Sequence, residues 1–262
     1  PLAMFAGAIG YFLLANVTIL EPAKPFVNWL IAVLTPFLIF AQLLLTFCKI
    51  EPKELLPKAW HVWLLSIQAV SSGIIALLLI FCPMEEAYRD IFEGAMVCLI
   101  CPTATAAAVI TGKLGGSAST LTTYTLLSNV LAAIAVPLVF PLVEPHADIT
   151  FVVAFLKILS KVFPLLLAPF FIALLFRYYI PSVHRLLSKY HGVAFYLWAV
   201  ALTIVTGQTV RSLVTAAADV SIEIMIALAG LATCCLQFYF GKRIGSAYHD
   251  RILSLIHISE PT

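Results

Sequence analysis

Long apolar runs separated by short polar breaks extend along almost the whole chain. A helix that crosses a membrane needs about 20 mostly apolar residues. The runs near that length cover residues 2–20, 26–48, 59–82, 91–111, 118–142, 152–176, 193–214 and 221–240. We therefore predict eight transmembrane helices, called spans 1 to 8. The longest break, about residues 177–192, is too short for a separate soluble domain.

The composition agrees with a membrane protein. Apolar residues make up 62% of the chain and charged residues 11%, whereas an ordinary soluble domain is about 25% charged. This balance excludes soluble globular, disordered and nucleic-acid-binding proteins. The strands of a β-barrel would read as short alternating segments. The fold class is therefore an all-α polytopic membrane protein, whose surroundings are the lipid bilayer.

Positive charge predicts the orientation of the spans, because cytoplasmic loops are enriched in Lys and Arg. Most of the 15 basic residues follow even-numbered spans. These are Lys49, Lys53, Lys58, Lys113, Arg177, Arg185, Lys189, Lys242, Arg243 and Arg251. We expect those breaks and the N-terminus to be cytoplasmic. The net charge of +2 predicts no nucleic acid or other polyanionic partner.

Both ends of the chain differ from those of a complete membrane protein. Pro1 already lies within an apolar run, and residues 253–262 do not continue the preceding pattern. We expect the chain to be a fragment, with an adapter-derived, non-native tail at 253–262. An ordinary polar tail is the alternative.

A weak internal repeat accompanies the spans. When the chain is shifted by about 163 residues, span 2 overlaps span 7 and span 3 overlaps span 8. Five spans per repeat is an odd number, so the second copy would be inverted. We predict a first repeat over 1–142 and a partial second repeat over 143–252. About eight of ten transmembrane helices would then be present. Identity between the copies is poor, so chance similarity between apolar helices stays open.

Span 4 carries the most informative motif, a proline within an apolar helix. Pro102 removes one backbone hydrogen bond and clashes with the preceding turn. Carbonyls freed in this way can coordinate a cation, and the N-terminus of a second half-helix attracts an anion. Thr103 and Thr105 place hydroxyls beside the break. A simple proline kink is the alternative.

Two neighbouring spans add polar groups that could complete a site. Thr122, Thr125 and Asn129 share one face of span 5, and Gln68 lies among apolar residues in span 3. Polar residues of membrane helices point toward protein or water. They are candidate ion ligands. The alternatives are hydroxyls bonded to their own backbone and, for Gln68, an interhelical hydrogen bond.

The sequence contains no pattern typical of an enzyme. It has no Ser/His/Asp set, no H-E-x-x-H motif and no phosphate-binding loop. The six cysteines lie mostly in apolar surroundings, where packing is their expected role. We predict no catalytic residue, no cofactor, and no metal site beyond a sodium site.

At Cys101-Pro102-Thr103-Ala104-Thr105-Ala106, and at Gly112-Lys113-Leu114-Gly115-Gly116, the chain resembles the bile acid:sodium symporter family. The likeness is greatest to the bacterial ten-span members and extends over about residues 1–252. It implies two inverted five-helix repeats that build a panel domain and a core domain. Spans 1, 2, 6 and 7 would form the panel. Spans 3, 4, 5 and 8 would join the core, where the fourth and ninth spans break and cross.

The resemblance also implies roles for individual residues. Pro102, Thr103, Thr105 and Ala106 would shape the crossover near the substrate. The ion-binding candidates are Gln68, Thr125, Ala107 and Ala108. The chain departs from the family where Thr103 and Ala104 replace two glycines. It also departs where Ala107 and Ala108 replace a Ser-Asn pair that supplies sodium ligands, since alanine offers only its backbone carbonyl.

The functional prediction follows from this resemblance. We expect a secondary active transporter of a small organic anion in the inner membrane of a bacterium, working by alternating access, with sodium as the candidate coupling ion. The first alternative is the same fold driven by protons or acting as a uniporter, which the two alanines favour. A distant alternative is an intramembrane enzyme or a channel. We expect residues 1–252 alone not to transport, because they contain half of the crossover. The substrate and the oligomeric state are not specified by the sequence.

Overall fold

A computed structural model of the chain describes most of its length. The described residues are 2–16, 21–22, 24–49, 53, 55–103, 107, 111, 117–145, 149–189, 193–215 and 220–247. The tail at 253–262 lies outside them. Over the described residues all regular secondary structure is helical, which confirms the predicted fold class. The inverted repeat stays a prediction.

Nine helices are present within the described ranges. They are α1 Leu2–Asn16, α2 Lys24–Cys48, α3 Ala59–Phe81, α4 Glu86–Ile100, α5 Ala118–Val143, α6 Phe151–Tyr179, α7 Pro181–Lys189, α8 Val193–Thr215 and α9 Val220–Ala247. In the part of the chain described, six of them, α2, α3, α5, α6, α8 and α9, are long and apolar enough to cross a membrane. The other two predicted spans, 2–20 and 91–111, extend into residues outside the described ranges, so the count of eight stays a prediction.

Within these two predicted spans the described helices are α1 and α4, with 15 residues each. At about 1.5 Å per residue, such a helix is shorter than the roughly 30 Å hydrocarbon core of a bilayer. For α4 the physical reason is Pro102, because the residue before a proline is driven out of the helical conformation. The helix consequently ends at Ile100, in the middle of the predicted span.

The predicted break at 177–192 contains a helix that the apolar pattern did not reveal. Pro181 begins α7, at the helical position where its missing N–H is not needed. None of the nine residues of α7 is buried. Burial and the charge of Arg177 lower the pKa of His184, whereas its hydrogen bond to the backbone of Cys48 raises that pKa. This bond ties α7 to the end of α2.

The chain divides into two compact units that alternate along the sequence. Unit 1 consists of Pro1–Lys49 and Pro169–Ala218, and unit 2 of Ile50–Ala168 and Asp219–Thr262. Unit 1 thus groups α1, α2 and α8, three of the four spans that the resemblance assigns to the panel, together with α7, which lies in no predicted span. Unit 2 groups α3, α4, α5 and α9, assigned to the core. The boundary at Pro169 falls inside α6, so that helix contributes to both units.

In unit 1, α8 packs against both α1 and α2. The crossing with α1 is a backbone contact between two glycines. A Cβ atom built on Gly7 would lie 2.2 Å from the carbonyl oxygen of Thr203, and one built on Gly207 would lie 3.1 Å from the carbonyl oxygen of Gly7. Small residues allow membrane helices to approach this closely, so α1 and α8 depend on glycine at their contact point.

In unit 2, α4 is held between α3 and α9. Gly94 and Gly230 allow the close approach of α9, since a Cβ on Gly94 would lie 3.2 Å from the side chain of Ile226. At the start of α4, Arg89 pairs with Glu93 (Nε to Oε1, 2.9 Å) and donates a hydrogen bond to the carbonyl of Val143. These contacts attach the first turns of α4 to the end of α5.

Candidate binding site at the broken helix

The site is centred on the end of α4. The amide of Cys101 makes the last helical bond, to the carbonyl of Val97 (3.0 Å), and Cys101 itself has φ −58° and ψ 135°, outside the helical region. In a continuous helix the carbonyl of Cys98 would accept from the amide of residue 102. Pro102 has no N–H, so this carbonyl lacks its helical donor.

Gln237 supplies the missing donor from another helix. Its Nε2 lies 3.3 Å from the carbonyl oxygen of Cys98. Gln237 is an amide in the otherwise apolar middle of α9, and α9 packs directly on α4. A polar group in hydrocarbon that lacks a partner costs several kcal/mol. The Gln237 side chain therefore offsets the loss that Pro102 causes. In the sequence Gln237 is a lone amide in an apolar helix, similar to Gln68, but the sequence does not indicate which group this amide meets.

Gln68 satisfies two further carbonyls at the break. Its Nε2 donates to the carbonyl of Ile100 at 3.2 Å and to that of Cys101 at 3.1 Å. The side chain is buried within α3, with 8% of its surface exposed. Since both acceptors are carbonyl oxygens, the nitrogen of the amide must face them. The structure therefore brings Gln68 to the break as a hydrogen-bond donor.

Ser128 of α5 completes the junction. Its Oγ accepts from the amide of Thr103 at 3.2 Å and lies 3.4 Å from Oε1 of Gln68, to which it donates. The Thr103 side chain also hydrogen-bonds with the hydroxyl of Tyr124. Side chains of α3, α5 and α9 thus hold the backbone from Cys98 to Thr103. Ser128 was missed because its type and spacing match those of the many other Ser and Thr residues of α5, and Tyr124 was missed because a single aromatic residue in a membrane helix usually packs.

The polar face of α5 is buried beside this junction. Thr122 and Thr125 have no exposed surface, and Asn129 exposes 1% of its surface. The hydroxyl of Thr125 donates to the carbonyl of Leu121 at 3.0 Å, so its proton is used within its own helix while its oxygen keeps lone pairs. Within the described residues, Nδ2 of Asn129 is a buried donor without a protein acceptor. This face therefore offers both an acceptor and a donor to a ligand.

The remaining predicted site residues lie at the break or just after it in the sequence. Pro102 and Thr103 are partly buried, and so is Ala107. Thr105, Ala106 and Ala108 lie outside the described residues. In the part of the chain that the structure describes, no group of three His, Cys, Asp or Glu residues is placed to hold a metal ion.

An aromatic cluster supports the α5 side of the site. The rings of Trp60 and His61 are 3.9 Å apart, and Tyr124 lies 5.8 Å from Trp60 and 6.0 Å from His61. Trp60 and His61 are almost completely buried, and Nδ1 of His61 accepts from the amide of Lys58 at 2.9 Å. These contacts fix the start of α3 against Tyr124, which in turn contacts Thr103.

A double-mutant cycle tests the pairing of Gln237 with the break. Gln237→Leu is expected to lower the free energy of unfolding by about 0.5–1.5 kcal/mol, because the Cys98 carbonyl loses its donor. In a Pro102→Ala background the same change is expected to cost much less, since the backbone of the introduced alanine can supply its own N–H. The measurement is equilibrium unfolding in mixed micelles containing increasing amounts of dodecyl sulfate. The matched control is Gln208→Leu, an exposed glutamine of α8. Equal costs of Gln237→Leu in both backgrounds would contradict the pairing.

Comparison with known proteins adds one finding. The sequence model of a family described as the Sodium Bile acid symporter family matches residues 8–216. That match runs from within α1 to the end of α8 and includes the whole of the break at Pro102. Among proteins of curated function, none matches the chain.

Proposed function

Because the chain belongs to the sodium bile acid symporter family, we propose that it is a secondary active transporter that moves a small organic anion by alternating access. Members of that family are transporters rather than enzymes, and the multi-pass helical architecture agrees with this class. The observation that carries the proposal is the end of α4, where Gln68, Ser128 and Gln237 gather around a broken backbone.

The break offers one surface suited to a cation and another suited to an anion. The C-terminal end of α4 presents carbonyl oxygens and the negative end of its helix dipole, which favour a cation. The residues after Pro102 would form the part of the site that binds the anion. Thr103, Thr105 and Ala106 would lie nearest the substrate. Broken helices that meet within a membrane are a recurrent way to bind an ion and a substrate together. We place the protein in the inner membrane of a bacterium with its N-terminus in the cytoplasm.

For sodium, the ligands would be the side chains of Gln68 and Thr125 and the backbone carbonyls of Ala107 and Ala108. Nε2 of Gln68 now donates to the Ile100 and Cys101 carbonyls. A sodium ion at those carbonyls would compete with this amide nitrogen. Rotation about the last side-chain torsion would then turn Oε1 toward the ion. Sodium binding would thereby replace the hydrogen bonds from Gln68 to these two carbonyls with coordination of the ion by the same carbonyls.

Transport without sodium is the second candidate. It is favoured by Ala107 and Ala108, whose methyl groups cannot coordinate an ion. In this case Gln68 would keep its bonds to α4 throughout the cycle. A proton or the gradient of the anion itself would then drive the transport.

Cation-dependent stabilisation separates the two candidates. The purified protein is heated in sodium chloride and, separately, in choline chloride at equal ionic strength. A ligand that binds only the folded state raises the melting temperature. We expect a higher Tm in sodium, lost in Gln68→Leu and retained in the control Gln208→Leu. Equal Tm values for the wild type in both salts would refute sodium binding and leave the sodium-independent transporter.

Uptake tests the transport proposal together with the ten-span expectation. Proteoliposomes containing the protein are given cholate under a sodium gradient and under a choline gradient. The ten-span expectation requires that residues 1–252 alone give no gradient-driven uptake. Sodium-driven uptake by this chain would support transport and refute the ten-span expectation. Cholate binding that is insensitive to Gln68→Leu, Ser128→Ala and Thr103→Ala would count against a substrate site at the break.

A further inference from the structure

Unit 1 contains a cavity of about 470 Å³ between α1, α2 and α8. It lies beside the contact between Gly7 and Gly207, and both glycines contribute to its lining. Its walls include the backbone of Gly10 and the side chains of Leu14 and Ile31. A volume of about 300–1,000 Å³ is typical of sites for small ligands. The cavity is therefore large enough to hold a small organic molecule.

Charge is concentrated at one end of this cavity. Lys24 begins α2 and Arg211 lies one turn before the end of α8, and both side chains line the cavity. Nη1 of Arg211 donates to Oδ1 of Asn28 at 2.7 Å, which orients the guanidinium. Nζ of Lys24 lies 3.4 Å from Oε1 of Glu21. A guanidinium has five N–H donors arranged as a planar fork, so the bond to Asn28 uses only part of its capacity.

Away from Lys24 and Arg211 the lining consists mostly of apolar residues and glycine. A Cβ atom on Gly10 would meet nothing within 4 Å, whereas one on Gly7, a single turn earlier on α1, would clash with the backbone of α8. The space beside Gly10 is therefore a local opening between helices that are tightly packed one turn away. Its lining lacks van der Waals partners unless an apolar group fills it.

We propose that this cavity binds an anionic amphiphile. The phosphate, sulfonate or carboxylate head would contact Arg211 and Lys24, and the apolar body would lie along Gly10, Leu14 and Ile31. Arginine binds such planar or tetrahedral anions through two parallel hydrogen bonds. Two sources share this chemistry, an anionic phospholipid of the bilayer and a soluble organic anion. The site belongs to unit 1, whereas the break at Pro102 belongs to unit 2, so it does not rest on the proposed transport function.

The test measures binding of four defined probes to the full chain in detergent by native mass spectrometry and by the shift in Tm. The probes are dioleoylphosphatidylglycerol, dioleoylphosphatidylcholine, cholate and glycerol 1-phosphate. At least one anionic amphiphile is expected to bind about tenfold or more tightly than the zwitterionic lipid, a difference of about 1.4 kcal/mol. Glycerol 1-phosphate is expected to bind weakly because it has no apolar body. Binding of phosphatidylglycerol alone identifies a bilayer lipid, and binding of cholate alone identifies a soluble anion.

Variants locate the binding. Arg211→Gln removes the charge and Gly10→Leu fills the apolar end, and each is expected to weaken binding of the anionic amphiphile about tenfold. Gly73→Leu is the control for Gly10→Leu, because a Cβ on Gly73 also meets nothing within 4 Å and α3 lies in unit 2. Retention of binding in Gln68→Leu distinguishes this site from the break. The proposal is overturned if neither amphiphilic anion binds more tightly than phosphatidylcholine, or if Arg211→Gln and Gly10→Leu both leave binding unchanged.

Discussion

Replacing Gly7 by alanine is expected to destabilise unit 1 by about 1–3 kcal/mol, the usual range for inserting atoms into a well-packed contact. The added Cβ would lie 2.2 Å from the carbonyl oxygen of Thr203 and 3.1 Å from the amide nitrogen of Gly207. Both atoms belong to backbone, so no side-chain rotation can relieve the clash. The helices α1 and α8 would have to move apart. This loss opposes the roughly 1 kcal/mol by which alanine favours a helix over glycine.

Gly10→Ala is the matched control on the same helix. Its Cβ meets nothing within 4 Å, so only the gain in helix propensity remains, and the variant is expected to be as stable as the wild type or more stable. Both variants are measured by equilibrium unfolding in mixed micelles. A Gly7→Ala variant as stable as Gly10→Ala would show that α1 and α8 do not touch through their backbones.

Gln68→Leu is expected to destabilise the protein by about 2–4 kcal/mol, because leucine leaves three buried or partly buried polar groups without their present partner. These are the carbonyls of Ile100 and Cys101 and the hydroxyl of Ser128.

Gln68→Glu keeps the size of the side chain but removes the N–H donor and places a carboxylate against two carbonyl oxygens. It is expected to be as unstable as Gln68→Leu at neutral pH. Its stability should rise as the pH falls, since a protonated carboxyl can again donate a hydrogen bond.

The reference for these variants is Ser71→Ala in the same helix. The hydroxyl of Ser71 donates to the carbonyl of Gln68, one turn away, at 3.2 Å. Its loss is therefore expected to change the free energy of unfolding by less than about 1 kcal/mol. If Gln68→Leu unfolds at the same detergent composition as Ser71→Ala, the carbonyls of α4 do not depend on Gln68. A pH-independent Gln68→Glu variant would lead to the same conclusion.

The sequence alone determined the features that depend on local chemistry and on the bilayer. Long apolar runs predicted the membrane helices α2, α3, α5, α6, α8 and α9, because hydrocarbon requires every backbone group to be bonded within its own segment. Proline lacks an N–H whatever surrounds it, so the interruption of span 4 near Pro102 was also predictable. The short helix α7 was not, since nine mostly exposed residues produce no apolar run.

Only the tertiary structure decided which groups satisfy the broken helix. Gln237 is 139 residues from Cys98, and Ser128 is 25 residues from Thr103. Whether an amide or a hydroxyl meets a freed carbonyl depends on the rotation and crossing of the packed helices, which apolar periodicity leaves unspecified. The same applies to Gly7 and Gly10, identical residues three positions apart. One is in backbone contact with α8 and the other borders a cavity, a difference that depends on how α1 and α8 pack and not on the residue type.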